Sequence, residues 1–414
     1  MSVKKSILLA TIGLCAVQPA FAAEDLAAKT KGGFSYGTKG TDPYWFKLSG
    51  LLQSDQTFVS GSSISKGTQF HTNTNLRRAS VGLSGGVDND WSYVFSLDMG
   101  SDRKFKLSDA YANYAGIHER LNISVGQINP SFSLENTSSS KWLAFLERSM
   151  AATAFGPGQG LGVSASFYDQ HYALAASVSA PMKGDGAKST ATAASDNTIS
   201  DQYVYSARAT LAPIHTDGHV AQIGISGHFE ENKNGFIEFK SMPEIQTRAN
   251  VAVVNTSSAA GVRSIQAKHQ STFAVELAGQ SGPLFGEVEY QIAHIKRTTG
   301  TGNNLKFHGY HAEVAYVLTG EHRTYNITNG TFNQLTPSSN GAWELAARHS
   351  YITLTNRDIV GGAAHNTTLG VNWYYSPEIK ISANYIRSLQ NTNPAFGTEQ
   401  RKLNLFGVRF QMVF

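Results

Sequence analysis

Leu403-Asn-Leu-Phe-Gly-Val-Arg-Phe-Gln-Met-Val-Phe414 closes the chain. Phe406, Val408, Phe410, Met412 and Phe414 share one side of a period-two pattern, and Gly407, Arg409 and Gln411 share the other. Successive side chains of a strand point to opposite faces, so this segment has one apolar face and one face fit for water. The same alternation recurs upstream. In WSYVFSLDM, Trp91, Tyr93, Phe95, Leu97 and Met99 oppose Ser92, Ser96 and Asp98. Leu161, Val163, Ala165 and Phe167 oppose Gly162, Ser164 and Ser166, and Tyr310, Ala312, Val314 and Tyr316 oppose His311 and Glu313. Sixteen such segments are expected, near 44–58, 75–87, 91–100, 105–116, 120–128, 160–168, 171–180, 202–213, 218–230, 270–281, 284–298, 305–319, 341–354, 366–376, 379–389 and 401–414.

Residues 1–22 read as a secretory leader: Lys4 and Lys5, a short apolar run from Ile7 to Val17, then Ala20-Phe21-Ala22 as an A-x-A cleavage site. Leu14 precedes Cys15, which does not fit a lipid-anchor site, and the mature chain would hold no cysteine. Disulfides, thiolate metal sites and a Cys nucleophile are then excluded. Losing Lys4 and Lys5 lowers the formal charge of the chain from +4 to +2, which is not the basic excess of a nucleic-acid binder. Mean hydropathy is −0.24, and nothing after residue 22 approaches the ~20 apolar residues of a spanning helix. Half-apolar strands escape that limit, because a closed barrel satisfies its backbone internally. The expected fold is therefore an all-β, transmembrane antiparallel barrel of the bacterial outer membrane spanning 44–414, with 23–43 as a periplasmic lead-in.

The connections fit that plan. Asp88-Asn89-Asp90, Asp169-Gln170 and Ser376-Pro377-Glu378 are short turn signals, whereas 59–74, 129–159, 181–201, 231–269 and 320–340 are long. Short turns on one side and long loops on the other mark an outer-membrane barrel. The loop 129–159 carries Phe132, Trp142, Leu143, Phe145 and Phe155, too much apolar side chain for a solvated coil, so it is expected to fold inward. Its charges, Glu135, Lys141, Glu147 and Arg148, would then border a constriction.

Strand parity assigns further charges to the lumen. Arg78 shares a face with Ser80, and Arg208 with Ser206 and Thr210; Arg348, Lys380 and Arg409 also fall on polar faces. Asp98, Asp109, Glu276, Glu313 and Glu344 supply the opposite sign. Arg or Lys on the lipid face costs ~2–4 kcal/mol at mid-membrane, so these side chains are expected to line water. Arg77 has lipid-face parity and is expected at a strand end or a subunit contact. A wall salt bridge is the competing role for each lumenal arginine, with Arg348 and Glu344 the expected pair.

Several segments resemble the phosphate-selective porin O and P family: NLRRASVGLSGGVDNDWSY, KLSDAYANY, VGQINPSFSLENTSSSKWLAFLERS, LTGEHRTY, GAWELAARHS, LGVNWYYSPEIKISANY and RFQMVF, in the family's order. The resemblance implies a sixteen-stranded barrel, a homotrimer, that passes small anions across the outer membrane. It places Arg77 and Arg78 on the family's paired arginines, Lys141 on the lysine of its Ser-Ser-Lys-Trp segment, and Asp109 on the acid of its Asp-Ala-Tyr strand. Ser92 stands where a further basic residue would be sought, and the mature charge is near neutral. A general anion-leaning porin is expected rather than a tight phosphate selector. The expected partners are small hydrophilic or anionic solutes, outer-membrane lipid, and the barrel-assembly machinery through the strand ending at Phe414.

Other signals were weighed. GPGQGLG at 156–162 lacks the βαβ context of a phosphate loop. His215 and His219 flank a turn, and His308 and His311 lie on opposite strand faces, so no metal or cofactor is expected. The rivals are a barrel enzyme or an adhesin with a filled interior; no G-x-S-x-G elbow supports the first.

Overall fold

The computed structural model describes residues 34–39, 41–62, 72–100, 105–181, 189–190, 202–247, 251–257, 265–391 and 401–414. The expected leader and most of the lead-in lie outside them. The barrel strands are β1 (Trp45–Ser62), β2 (Asn73–Gly86), β3 (Trp91–Gly100), β4 (Phe105–His118), β5 (Leu121–Ile128), β6 (Gly160–Tyr168), β7 (Tyr172–Pro181) and β8 (Val204–Thr216). They continue as β9 (His219–Ile237), β10 (Ile265–Ser281), β11 (Leu284–Arg297), β12 (Leu305–Val317), β13 (Ala342–Asn356), β14 (Ile359–Tyr374), β15 (Ile379–Asn391) and β16 (Arg401–Val413). Each pairs antiparallel with its neighbour, and β1 pairs with β16 from Leu51↔Val413 to Ser62↔Lys402. That last ladder closes the sheet and removes its edges. Among the described residues, no helix is long and apolar enough to cross a membrane.

Closure works because the two faces meet different solvents. Ile225, Phe273, Val275, Val288, Val314, Leu345 and Leu369 are exposed on the outer face, a band that is stable only against hydrocarbon. Stacked Trp343 and Trp373 sit at the periplasmic end of β13 and β14, with Tyr375 edge-on to Trp373. β1 begins and β16 finishes at that end, where Asp88 Oδ1 accepts from the N–H groups of Asp90 and Trp91 to make one of the tight turns.

The lumen is divided into two halves. On β8 to β16 the inward side chains are buried almost without exception, whereas on β2 to β6 they are partly exposed. Three insertions fill the first half. The loop between β5 and β6 carries two short helices, α1 (Leu134–Thr137) and α2 (Met150–Phe155), capped by Ser133 and Ser149. Its Met150, Ala154 and Phe155 pack with Phe239 and Ile245 of the loop between β9 and β10, and with Phe307 and Ile352 of the wall. The third insertion corrects the expected loop plan. Residues 318–341 connect β12 to β13 at the periplasmic end, not the outer end. They form a hairpin (Arg323–Asn326 paired with Thr331–Leu335) that enters the barrel, where Phe332 meets Phe285 edge-on. An apolar hairpin face and an inward Arg323 make burial more favourable than a solvated loop.

Candidate functional site

Arg77 and Arg78 are both inward-facing, and a bulge explains how. Gln53 pairs with Arg78, but Ser54 pairs with Leu76, so Arg77 is the extra residue of β2. A bulge re-aims one side chain, and here it turns Arg77 off the lipid face. Parity alone had placed Arg77 at a strand end or subunit contact; the structure puts it against the infolded loop. Its Nε and Nη2 donate to Glu147 Oε1 and Oε2 at 2.7 and 2.9 Å. Arg78 donates to Gln53 Oε1 at 2.7 Å and stands 3.8 Å from Glu147. Arg409 also reaches Glu147, at 2.7 Å. Burial by itself would raise the Glu147 carboxyl, but Arg77, Arg409 and Arg78 outweigh it and hold it well below the ordinary carboxylate range.

Arg148 completes the cluster and makes no ion pair within 4 Å among the described residues. Its guanidinium donates to the carbonyls of Glu135 (2.7 Å) and Ser138 (2.7 Å), turning the loop back on itself. Arg77, Arg78, Arg148, Glu147 and Glu244 border a cavity of about 290 Å³. Arg78 also lines a second cavity of about 460 Å³, with Lys47, Ser80, Asp98, Asp109 and Lys141. Asp109, which accepts from Ser96 Oγ at 2.6 Å, opens in turn onto a third of about 600 Å³ that runs along β3 to β7. The three form one series along the open half of the lumen, with Arg78 at the first junction and Asp109 at the second. Lys141 makes no ion pair among the described residues; burial and the charge of Lys47 lower its pKa. A further concavity, about 730 Å³, is not lumenal. It is an apolar trough on the lipid side, lined by Leu174, Ala209, Ile225 and Phe273.

Five of the expected pore-lining residues do not border these cavities, and a sixth, Arg208, borders only the third while engaged in an ion pair. Glu135 is buried, accepting from Ser149 N–H and Oγ and from Arg348. Arg348 lies over the Phe145 ring and binds Glu135 at 3.1 Å and Glu244 at 2.8 Å, so Glu344 is not its partner. Glu344 instead pairs with Arg323 of the periplasmic hairpin and accepts from Tyr374 at 2.9 Å. Arg208 pairs with Glu276 and donates to the carbonyls of Asn329 and Gly330 at the hairpin tip. Lys380 donates to the carbonyls of Lys141 and Leu143, and Arg409 pairs two-pronged with Asp55. The strand residues among them point inward, but their polar groups clamp insertions to the wall instead of meeting water.

Glu244, Arg323 and Asp55 were missing from the sequence reading. Glu244 sits at φ 62, a left-handed conformation that costs a non-glycine residue about 1 kcal/mol or more. Bonds to Met150 N–H, Arg348, Ser350 and Thr368 hold it there. A residue in a long polar loop with no periodicity carries no sequence signal for such a role. Glu135, His311 and Glu313 bring donor atoms within 4.8 Å of one another, the nearest approach to a metal-ligand set among the described residues. The Arg348 guanidinium, 3.1 and 3.8 Å from the two carboxylates, already supplies positive charge there.

Comparison with known proteins agrees with this geometry. The profile of the family described as phosphate-selective porin O and P matches residues 46–414. Porin O of Pseudomonas aeruginosa is 29% identical over 398 residues, covering 88% of this chain and 87% of its own. Among solved structures, the fold resembles OmpT, an outer membrane protein of Vibrio cholerae (TM-score 0.56, 10% identity, 90% of this chain and 98% of that one). It also resembles an anion-selective porin from Comamonas acidovorans (TM-score 0.51, 12% identity, 90% of this chain and 100% of that one). A closed sixteen-stranded barrel, a half-open charged lumen and a match over nearly the whole barrel lead to one conclusion: the chain belongs to the phosphate-selective porin O and P family, porins of the bacterial outer membrane.

Proposed function

We propose that this porin passes small hydrophilic solutes with a preference for anions, phosphate among them. The observation that carries this reading is the junction at Arg78, where Arg77, Arg78 and Arg148 border one cavity with two carboxylates, Glu147, itself shared with Arg409, and Glu244, taken up by Arg348. An anion crossing there loses water and finds guanidinium donors whose geometry suits phosphate and carboxylate oxygens. Lys141 and Lys47 continue the attraction into the next cavity, and Asp98 and Asp109 moderate it. Those two acids favour an anion-leaning pore over a dense basic trap.

The chain acts as a passive channel, not an enzyme: its polar clusters pin loops instead of presenting a nucleophile to solvent. It assembles as a homotrimer, as the trimer form of Vibrio cholerae OmpT does with the same fold, and its strand ending at Phe414 is the recognition element for barrel assembly. The deciding experiment is the zero-current potential of single channels under a KCl gradient. The anion sign is expected, and Arg78→Ala combined with Lys141→Ala should bring it toward zero. A cation sign in the unaltered protein would overturn the proposal.

A further inference from the structure

The outward-facing surface is not uniform around the barrel. Near the outer end of β10 to β12 it is basic. A register shift between Ala267 and His269 makes Lys268 an extra residue of β10, so Lys268 and His269 both turn outward. His269 pairs across to Lys296 of β11, and His294 of β11 pairs across to Lys306 of β12. Lys268, Lys296 and Lys306 are exposed and make no ion pair among the described residues. Lys402 is exposed near the outer end of β16. Just below lies a ring of aromatic contacts, with Tyr310 on Tyr351 at 5.6 Å and Tyr351 on His365 at 4.5 Å. Further down lie apolar side chains such as Phe273, Val288, Val314 and Leu345, with His349 at the level of Val288.

Among the described residues, the opposite arc lacks this pattern. Near the outer end of β1 to β8 the outward residues include Phe58, Phe105, Val125, Leu161, Val178 and Tyr205, and none of these is charged.

The order from apolar band to aromatic ring to unpaired ammonium groups follows the depth profile of one membrane leaflet. Cations at the boundary of the outer leaflet, three lysines with no ion pair among the described residues and only Glu231 of β9 across from His269 as a neighbouring acid, match an anionic headgroup in that plane. Three lysines on adjacent strands lie within reach of a single large headgroup. We infer that the outer rim of β10 to β12 is a binding site for a phosphorylated, acylated glycolipid of the outer leaflet. Lys268, Lys296 and Lys306 contact its phosphates, and the aromatic ring beneath receives the start of its acyl chains. The uncharged arc on β1 to β8 is then the side left for contacts between subunits.

The test uses the purified porin in detergent, probed by native mass spectrometry with diphosphorylated lipid A, the same lipid stripped of phosphate, and inorganic phosphate. The unaltered protein should retain diphosphorylated lipid A and not the dephosphorylated form. The triple variant Lys268→Gln, Lys296→Gln, Lys306→Gln should lose affinity by on the order of a hundredfold, about fivefold per lysine, with its single-channel conductance unchanged. Equal retention of the two lipids by the unaltered protein would overturn the site without recourse to any variant. So would equal binding by the triple variant, or displacement of the lipid by inorganic phosphate at the concentration that blocks the pore.

Discussion

Arg77 and Glu147 form a two-pronged ion pair, 2.7 and 2.9 Å, between a bulge in the barrel wall and the loop that narrows the lumen. The bulge and the infolding therefore depend on each other. Without the extra residue Arg77 would face lipid, and without the loop its inward turn would leave a guanidinium unpaired.

Glu147→Gln should act on both stability and selectivity. It leaves Arg77 without its anion and removes the carboxylate 3.8 Å from Arg78, so thermal stability should fall by about 3 kcal/mol. The surviving channels should show a larger anion-sign zero-current potential. An unchanged potential would mean that this carboxylate is not sensed by permeating ions.

The depressed pKa of Glu147 sets a pH window. A carboxylate held below its unfolded value stabilises the fold above that value and loses the effect as pH falls through the folded one. The loop should stay clamped from pH 7 down to roughly pH 4.3, the ordinary glutamate value, and loosen only below it. Conductance and protease resistance of the loop, followed from pH 7 to pH 3, check this. Release near pH 6 would contradict it.

Lys141 should lose its charge earlier than an ordinary lysine, because burial and Lys47 both disfavour the ammonium form. Anion preference should therefore decline as pH rises, beginning below the usual lysine value of about 10.4. Lys141→Met should abolish that alkaline decline and lower the preference at neutral pH. A profile identical to that of the unaltered protein would show that Lys141 does not face the ion path.

Arg208→Met strands Glu276 in the interior and frees the hairpin tip, since Arg208 joins Glu276 to the carbonyls of Asn329 and Gly330. A loss of about 3–5 kcal/mol is expected, with noisier open-channel current as the periplasmic hairpin moves. Adding Glu276→Gln should recover much of the stability but not quiet the current. A double variant as unstable as the single one would argue against the pairing.

Arg348→Met should disturb conductance more than Lys380→Met. Arg348 ties together Glu135 and Glu244, which belong to different infolded loops, whereas Lys380 holds only two carbonyls of one loop. Larger and less uniform conductance steps are expected for the first variant, and near-normal steps for the second.

Alternation in segments such as 403–414 and 91–99 was enough to identify the strands and the inward face of Arg78, Arg208, Arg348 and Arg409, because the direction of a strand side chain is a local property of period two. The apolar content of 129–159 was likewise enough to draw that loop inward. Partners were beyond local reading. Arg348 meets Glu135 and Glu244 across 213 and 104 residues, and the Glu344 expected beside it is taken by Arg323 from a hairpin entering at the other end. Arg77 could be turned inward only by a register shift against β1, which exists only once two strands are paired. Which lumenal charges meet water was decided by what fills the cylinder. Three insertions bury the inward face of β8 to β16 and leave that of β2 to β6 wet, and filling space is a property of the assembled volume that no single strand encodes.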